Sequence, residues 1–165
     1  PSLVAFTPWT TLEDYAEMFD LVEHHGLIDC IDPVQYSVRL LVPPGSALLT
    51  PPAKHPTPMA QFLGALDQQK FQHTWTHPDP RMDPLQQAVT RIVEDGTKTE
   101  EDPEHTFYRL WEVVYDTAGL SFSSLNKAVS MNPDRVRPPR MTEPWFCCAE
   151  PTTDQFQSVQ SASKT

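Results

Sequence analysis

The spacing of apolar residues in the first fifty positions predicts a strand, a helix and a second strand. Residues 2–6 form a short apolar run, which is typical of a buried strand. The helix is predicted to begin at a capping box of Thr10 and Glu13. Its apolar side chains recur at helical spacing and form one stripe: Leu12, Tyr15, Ala16, Phe19 and Val22. Residues 34–42 are rich in β-branched and aromatic side chains and complete a βαβ unit, which favours a parallel sheet or barrel.

Polar side chains occupy one face of the predicted second strand. Because side chains alternate between the two faces of a strand, Gln35, Ser37 and Arg39 should share one face. A strand buried on both faces is almost wholly apolar. The polar face therefore predicts either a barrel lumen or sheet crevice that holds a polar ligand, or an edge strand with a solvated face. In the first case Arg39 is suited to bind a carboxylate through two hydrogen bonds.

Downstream of residue 50, helices alternate with proline-rich connections. Three helices are predicted from apolar stripes and from their start and stop residues: 59–69, 83–96 and 102–119. His73 and His77 fall in an extended segment and are interpreted as surface residues. Cys30 is interpreted as a buried structural thiol. Residues 152–165 are polar and predicted to be disordered.

Composition narrows the class of protein. The chain has 165 residues, a formal net charge of −10 and a pI near 4.9, which opposes a nucleic-acid partner because phosphate backbones are bound mostly by clustered Lys and Arg. No segment reaches the ~20 apolar residues that span a bilayer, and none resembles a signal peptide, so a soluble, cytoplasmic protein without a membrane partner is predicted. The chain starts within an apolar run and without Met, and we expect it to be a fragment whose N-terminal part is missing.

Two adjacent thiols, Cys147 and Cys148, stand near the C-terminus. Neighbouring cysteines do not easily form a disulfide with each other, because a trans peptide holds them in unfavourable geometry. They are either a reactive or soft-metal-binding pair, or two small buried hydrophobic residues. With three cysteines the chain has no complete disulfide framework of its own, and reduced thiols in a reducing compartment are the simpler interpretation.

Three sequence blocks resemble one family. Cys147-Cys148-Ala149-Glu150-Pro151, together with residues 6–11 (FTPWTT) and 33–46 (PVQYSVRLLVPPGS), resembles the CUAEP/CCAEP-tail radical SAM proteins. In that family the second tail position accepts selenocysteine, and here it is Cys148. The resemblance covers the chain up to Pro151.

The resemblance implies an α/β fold made of the last βα units of a partial TIM-like (radical SAM) barrel. Residues 1–50 would be the C-terminal βαβ part of the barrel, 51–140 a mainly helical extension and 141–165 the CCAEP tail with a flexible C-terminus. A [4Fe–4S] cluster and S-adenosylmethionine are the implied cofactors, with the cluster ligands in the missing N-terminal part. Gln35, Ser37 and Arg39 would then lie near the S-adenosylmethionine site.

A tail that accepts selenium favours a functional thiol pair, because selenium replaces sulfur usefully in nucleophiles, redox centres and soft ligands. Cys147 and Cys148 are therefore the candidate catalytic and metal-binding residues, and Glu150 is a candidate base. The implied activity is that of a radical SAM enzyme acting on a small-molecule substrate, with a soft trivalent metalloid as one candidate. The fragment alone should be inactive. The alternative is a non-enzymatic module that binds metal or metalloid through the two thiols.

Overall fold

A mixed α/β fold is present in the computed structural model, which describes residues 2–49 and 59–120. Within these ranges it contains three α-helices, α1 (Leu12–His24), α2 (Met82–Lys98) and α3 (Pro103–Ala118). Strands β1 (Leu63–Asp67) and β2 (Gln72–Trp75) form an antiparallel hairpin. No helix of the described residues is long and apolar enough to cross a membrane.

Helix α1 confirms the predicted apolar stripe, whose five side chains are all buried. Its capping box lies one residue later than predicted: Thr11 Oγ1 accepts from the Asp14 N–H, and Asp14 Oδ2 accepts from the Thr11 N–H, each at 3.0 Å. Thr10 does not cap the helix because its hydroxyl is paired with that of Thr7 at 2.8 Å in the preceding turn. The turn before the helix therefore decides which of the two consecutive threonines, Thr10 or Thr11, caps α1.

Helix α3 begins and ends as predicted, whereas α2 is longer than predicted. Asp102 caps α3 by accepting from the Glu104 N–H, and Gly119 ends it in the left-handed conformation. Helix α2 continues past Gly96, because Gly96 is the point where α3 approaches: a Cβ there would lie 2.7 Å from Thr106 Oγ1. Gly96, which was predicted to end the helix, instead allows the close approach of α2 and α3. Asp83 does not cap α2 but lies in its first turn.

The predicted βαβ unit is present only as one parallel contact. Phe6 donates its N–H to Val38 O at 2.9 Å and accepts from the Leu40 N–H at 2.8 Å, which pairs Phe6 with Arg39 in parallel. The first half of the predicted second strand is wrong, since Pro33–Ser37 is a 3-10 helix. Asp32 caps this turn by accepting from the Val34 N–H at 3.1 Å, and proline favours the first helical position.

The helix predicted over residues 59–69 is also wrong. A 3-10 turn, Met59–Gln61, leads into strand β1, and Asp67 closes the hairpin by accepting from the N–H groups of Gln69 and Lys70. A side chain that bonds the backbone two residues ahead stabilises a turn and competes with helix formation. The chain continues into β2, whose His73 N–H donates to Val42 O at 2.8 Å.

Aromatic rings form the centre of the core. Phe19 lies 5.4 Å from Tyr15, 5.1 Å from Tyr36 and 5.3 Å from Phe107, measured between ring centroids. The core thereby joins α1, the 3-10 turn Pro33–Ser37 and α3 in one cluster of buried residues. Tyr15 donates its hydroxyl to Tyr36 O at 2.7 Å, and burial raises its pKa well above the usual value.

Candidate functional site

The three residues predicted to line a ligand site do not share a strand face. Gln35 and Ser37 lie in the 3-10 turn, and only Arg39 lies in the extended segment that follows. The Gln35 side chain accepts from the Leu3 N–H at 2.8 Å, and the Ser37 hydroxyl donates to Val34 O at 2.8 Å. Both side chains therefore bond backbone groups of the chain, Gln35 across 32 residues and Ser37 locally, and the prediction of one continuous polar face is wrong. Their role near a cofactor stays a prediction.

Arg39 lies at the centre of a polar cluster that joins three segments of the chain. Its Nη1 donates to Asp83 Oδ1 at 2.7 Å, and its Nη2 donates to Trp75 O at 2.6 Å. The guanidinium also stacks on the Trp75 ring, with Cζ 3.6 Å from a ring centroid. Only 13 % of the Arg39 side chain is exposed. The cation thus joins the extended segment to β2 and to the first turn of α2.

The partners of Arg39 are themselves anchored. Trp75 donates its indole N–H to Leu40 O at 2.8 Å, so its ring is held against the segment that carries Arg39. Asp83 accepts from the His77 backbone N–H through its other oxygen at 3.1 Å. Planar pairing of a guanidinium with a carboxylate is stronger when both groups are oriented by further bonds. We call Arg39, Trp75, His77 and Asp83 the arginine cluster.

His77 is buried, which corrects the prediction of a surface histidine. Its Nδ1 lies 2.9 Å from the Asp79 N–H and 3.2 Å from Asp79 O. Its Nε2 lies within hydrogen-bond distance of Thr10 O, at 3.0 Å. The imidazole therefore connects the start of α1 to the segment that leads into α2. The sequence signal was the position of His77 before a proline, which does not reveal a partner 67 residues away.

Asp79, next to this cluster, is held ionised by Arg81. The Arg81 side chain and backbone N–H donate to the Asp79 carboxylate, and these bonds lower its pKa to about 2. Its folded-state pKa lies below the ordinary value of 3.8, so its stabilising contribution is present above pH 3.8 and is lost as the pH falls through about 2. The Arg81–Asp79 pair is more exposed than the Arg39–Asp83 pair, with 47 % of the arginine side chain accessible.

Arg39 binds a carboxylate of the chain itself, that of Asp83, through one hydrogen bond, whereas it was predicted to bind a ligand's carboxylate through two. An external carboxylate would have to displace Asp83, because Nη1 already donates to it. Helices α2 and α3 are similarly joined by Arg109, which donates to Asp95 and Glu101 at 3.0 and 2.8 Å. In the described chain Arg39 therefore connects elements distant in sequence, and Arg109 connects two consecutive helices.

The described residues do not fit an iron–sulfur cluster. Their one cysteine, Cys30, is exposed, which corrects the prediction of a buried thiol, and a [4Fe–4S] cluster is held by several thiolates. Within residues 2–49 and 59–120, no three His, Cys, Asp or Glu side chains are placed to hold a metal ion. The predicted cluster ligands were assigned to a segment preceding Pro1, and that assignment stays a prediction. Cys147, Cys148 and Glu150 lie outside the described residues.

We expect the Arg39–Asp83 pair to couple strongly in a double-mutant cycle. Arg39→Met should lower the free energy of unfolding by about 2 kcal/mol, because charge-assisted hydrogen bonds and the stacking on Trp75 are lost together. Combined with Asp83→Asn, it should show a coupling energy of about 1 kcal/mol in urea unfolding. The more exposed Arg109–Asp95 pair is the matched control: Arg109→Met with Asp95→Asn should couple by less than about 0.5 kcal/mol. Equal coupling in the two cycles would contradict the central role of Arg39.

Comparison of the chain with protein-family models, with curated proteins and with solved structures gives no match. The resemblance to the CUAEP/CCAEP-tail radical SAM proteins therefore stands on the three sequence blocks quoted above.

Proposed function

We propose that the chain is the C-terminal part of a radical S-adenosylmethionine enzyme whose tail thiols, Cys147 and Cys148, take part in its chemistry. In this proposal residues 2–49 contribute the last βα unit of a partial TIM-like barrel. Turnover belongs to a longer protein that also carries a [4Fe–4S] cluster. Reduced, reactive thiols suit the cytoplasm.

The observation that supports the proposal most directly is the parallel contact of Phe6 with Arg39. The two residues belong to the two upstream blocks that resemble the family, and they lie 33 positions apart with α1 between them. Two parallel segments joined by a helix are the repeating unit of a barrel sheet. Blocks that are separate in the sequence therefore meet at one place in the fold.

In this proposal the tail thiols take part in the reaction, and the arginine cluster holds the scaffold around them in position. Arg39, Trp75 and Asp83 hold the extended segment that pairs with Phe6 against β2 and α2, so this segment has a fixed position. A fixed scaffold is what a reactive tail requires to return to one site. Cys147 and Cys148 would act as a soft ligand, a redox pair or the group that holds a soft metalloid substrate.

The test uses a longer protein that carries this chain as its C-terminal part. After reconstitution with iron and sulfide, the protein should contain one or more [4Fe–4S] clusters and should consume S-adenosylmethionine when a strong reductant is added. Cluster content is measured by iron and sulfide analysis with electron paramagnetic resonance, and consumption by chromatography. Absence of both cluster and consumption would refute the proposed enzyme class.

A second experiment separates the proposal from a non-enzymatic thiol module. Titration of the 165-residue chain with arsenite, followed by loss of free thiols, measures metalloid binding by Cys147 and Cys148 without any cluster. Stoichiometric uptake by a protein that consumes no S-adenosylmethionine would favour the non-enzymatic module. The variant with Cys30→Ser removes the exposed third thiol from the count.

A further inference from the structure

The outward face of α1 is exposed and is both acidic and apolar, and among the described residues the hydroxyl of Tyr115 bonds one of its carboxylates, that of Asp20. Glu13, Glu17, Asp20 and Leu21 follow one another at spacings of four, three and one, so they share one side of the helix. All four are exposed, and Leu21 is 52 % accessible, although the opposite side of α1 is buried in the core. We call these four residues the α1 outer face.

Carboxylates repeated on one face of a helix repel one another and lower helix stability by a few tenths of a kcal/mol per pair. Glu13 has Arg81 nearby, but the guanidinium of Arg81 is bound to Asp79. A cationic segment laid along this face would relieve the repulsion, and an apolar residue between its cations would cover Leu21.

The chain that follows α3 starts beside this face. Tyr115 donates its hydroxyl to Asp20 at 2.5 Å, which sets the last turn of α3 against α1. The Leu120 N–H donates to Tyr115 O at 2.9 Å, so the described chain ends next to the same tyrosine. Any segment downstream of Leu120 is therefore tethered at the edge of the α1 outer face.

The downstream sequence contains a segment of matching chemistry. Residues 135–140 read Arg-Val-Arg-Pro-Pro-Arg, with Val136 between two cations and prolines that favour an extended backbone. The residues between Leu120 and Arg135 reach at most roughly 50 Å when extended, and α1 is only about 20 Å long. The tether thus reaches the whole face, and intramolecular attachment raises the local concentration of the segment to about the millimolar range.

We infer that residues 135–140 dock on the α1 outer face, with Arg135 and Arg137 on the carboxylates and Val136 against Leu21. The docked segment would carry Cys147 and Cys148, seven and eight residues beyond Arg140, to the edge of the scaffold that holds the arginine cluster. The functional meaning of this contact rests on the proposed function of the tail, whereas the contact itself does not.

The test is a paramagnetic relaxation measurement on the 165-residue chain. A nitroxide is attached at Cys147 in a background of Cys30→Ser and Cys148→Ser, and the broadening of backbone amide signals is recorded. The amides of Glu17, Asp20 and Leu21 should broaden strongly, and those of the distant half of α2 should not. Arg135→Glu with Arg137→Glu should reduce the broadening roughly fivefold, and about 1 M salt should have the same effect.

A charge exchange provides the control. Glu17→Lys should weaken the contact, and adding Arg137→Glu to it should restore the broadening, because the pair is then reversed. Glu112→Lys makes the same charge change on an exposed position of α3 and should leave the broadening of α1 unaltered. Uniform weak broadening, or broadening that ignores the Arg135→Glu and Arg137→Glu changes, would overturn the inference. Neither result depends on turnover, so failure of the docking and failure of the proposed enzyme class are distinguished.

Discussion

Cys148→Ser is expected to abolish turnover of the proposed longer enzyme while its fold and its barrel [4Fe–4S] cluster stay intact. A serine hydroxyl does not ionise near neutral pH and is a hard oxygen ligand, so it replaces neither a thiolate nucleophile nor a soft metal ligand. The loss should be at least roughly a hundredfold, since removing a group that acts on the reacting atoms costs far more than removing a positioning residue. Consumption of S-adenosylmethionine under reducing conditions measures it.

Cys30→Ser is the matched control, because it is the same substitution at an exposed thiol of the 3-10 turn Ile28–Cys30. Turnover of this variant should remain at the wild-type level. Cys147→Ser separates two mechanisms: a redox pair or a two-thiolate ligand loses activity with either change, whereas a single nucleophile at Cys148 tolerates the change at Cys147. Unchanged turnover of Cys148→Ser would remove the tail from the mechanism.

Phe19→Ala is expected to have the largest effect on stability, lowering the free energy of unfolding by about 3–5 kcal/mol. The Phe19 side chain is fully buried and contacts three other rings, which come from α1, from the 3-10 turn and from α3. Its removal leaves a cavity at the junction of these elements and also removes favourable ring contacts. Urea unfolding followed by circular dichroism measures the change.

Leu21→Ala is the matched control for this prediction, since Leu21 lies two positions away on the same helix and is half exposed. It should change stability by less than about 0.5 kcal/mol. Phe19→Leu keeps most of the volume and should cost less than about 1.5 kcal/mol. A small effect of Phe19→Ala would show that the aromatic core does not hold α1 against α3.

Sequence periodicity was a good guide wherever an element is long and has local start and stop residues. The stripe of α1 and the Asp102–Pro103 start of α3 depend on neighbours within a few residues, so their signals are contained in the sequence. The same signature, Asp32–Pro33, starts the 3-10 turn that was predicted as a strand. There the β-branched residues beyond Pro33 outweighed a correct capping signal, because short apolar runs satisfy both patterns.

The residues of the candidate site likewise differ in whether the sequence alone could reveal them. The vicinal thiols and the basic segment 135–140 are visible in the sequence alone because each is a run of neighbouring residues. The arginine cluster is not, since Arg39 meets Trp75 and Asp83 across 36 and 44 residues, and His77 meets Thr10 across 67. Alternation along a strand predicted that Arg39 faces a bound ligand. In the folded chain Arg39 pairs with Asp83 instead.

Local chemistry thus determined the buried stripe of α1 and the start and end of α3, and the positions of the vicinal thiols are visible in the sequence alone. Tertiary contacts decided whether Gly96 stops a helix or admits a neighbour, whether residues 59–69 fold as a helix or a hairpin, and which carboxylate Arg39 binds. The physical reason is that capping and periodicity act over a few residues, whereas burial and charge pairing depend on elements that the chain brings together only on folding.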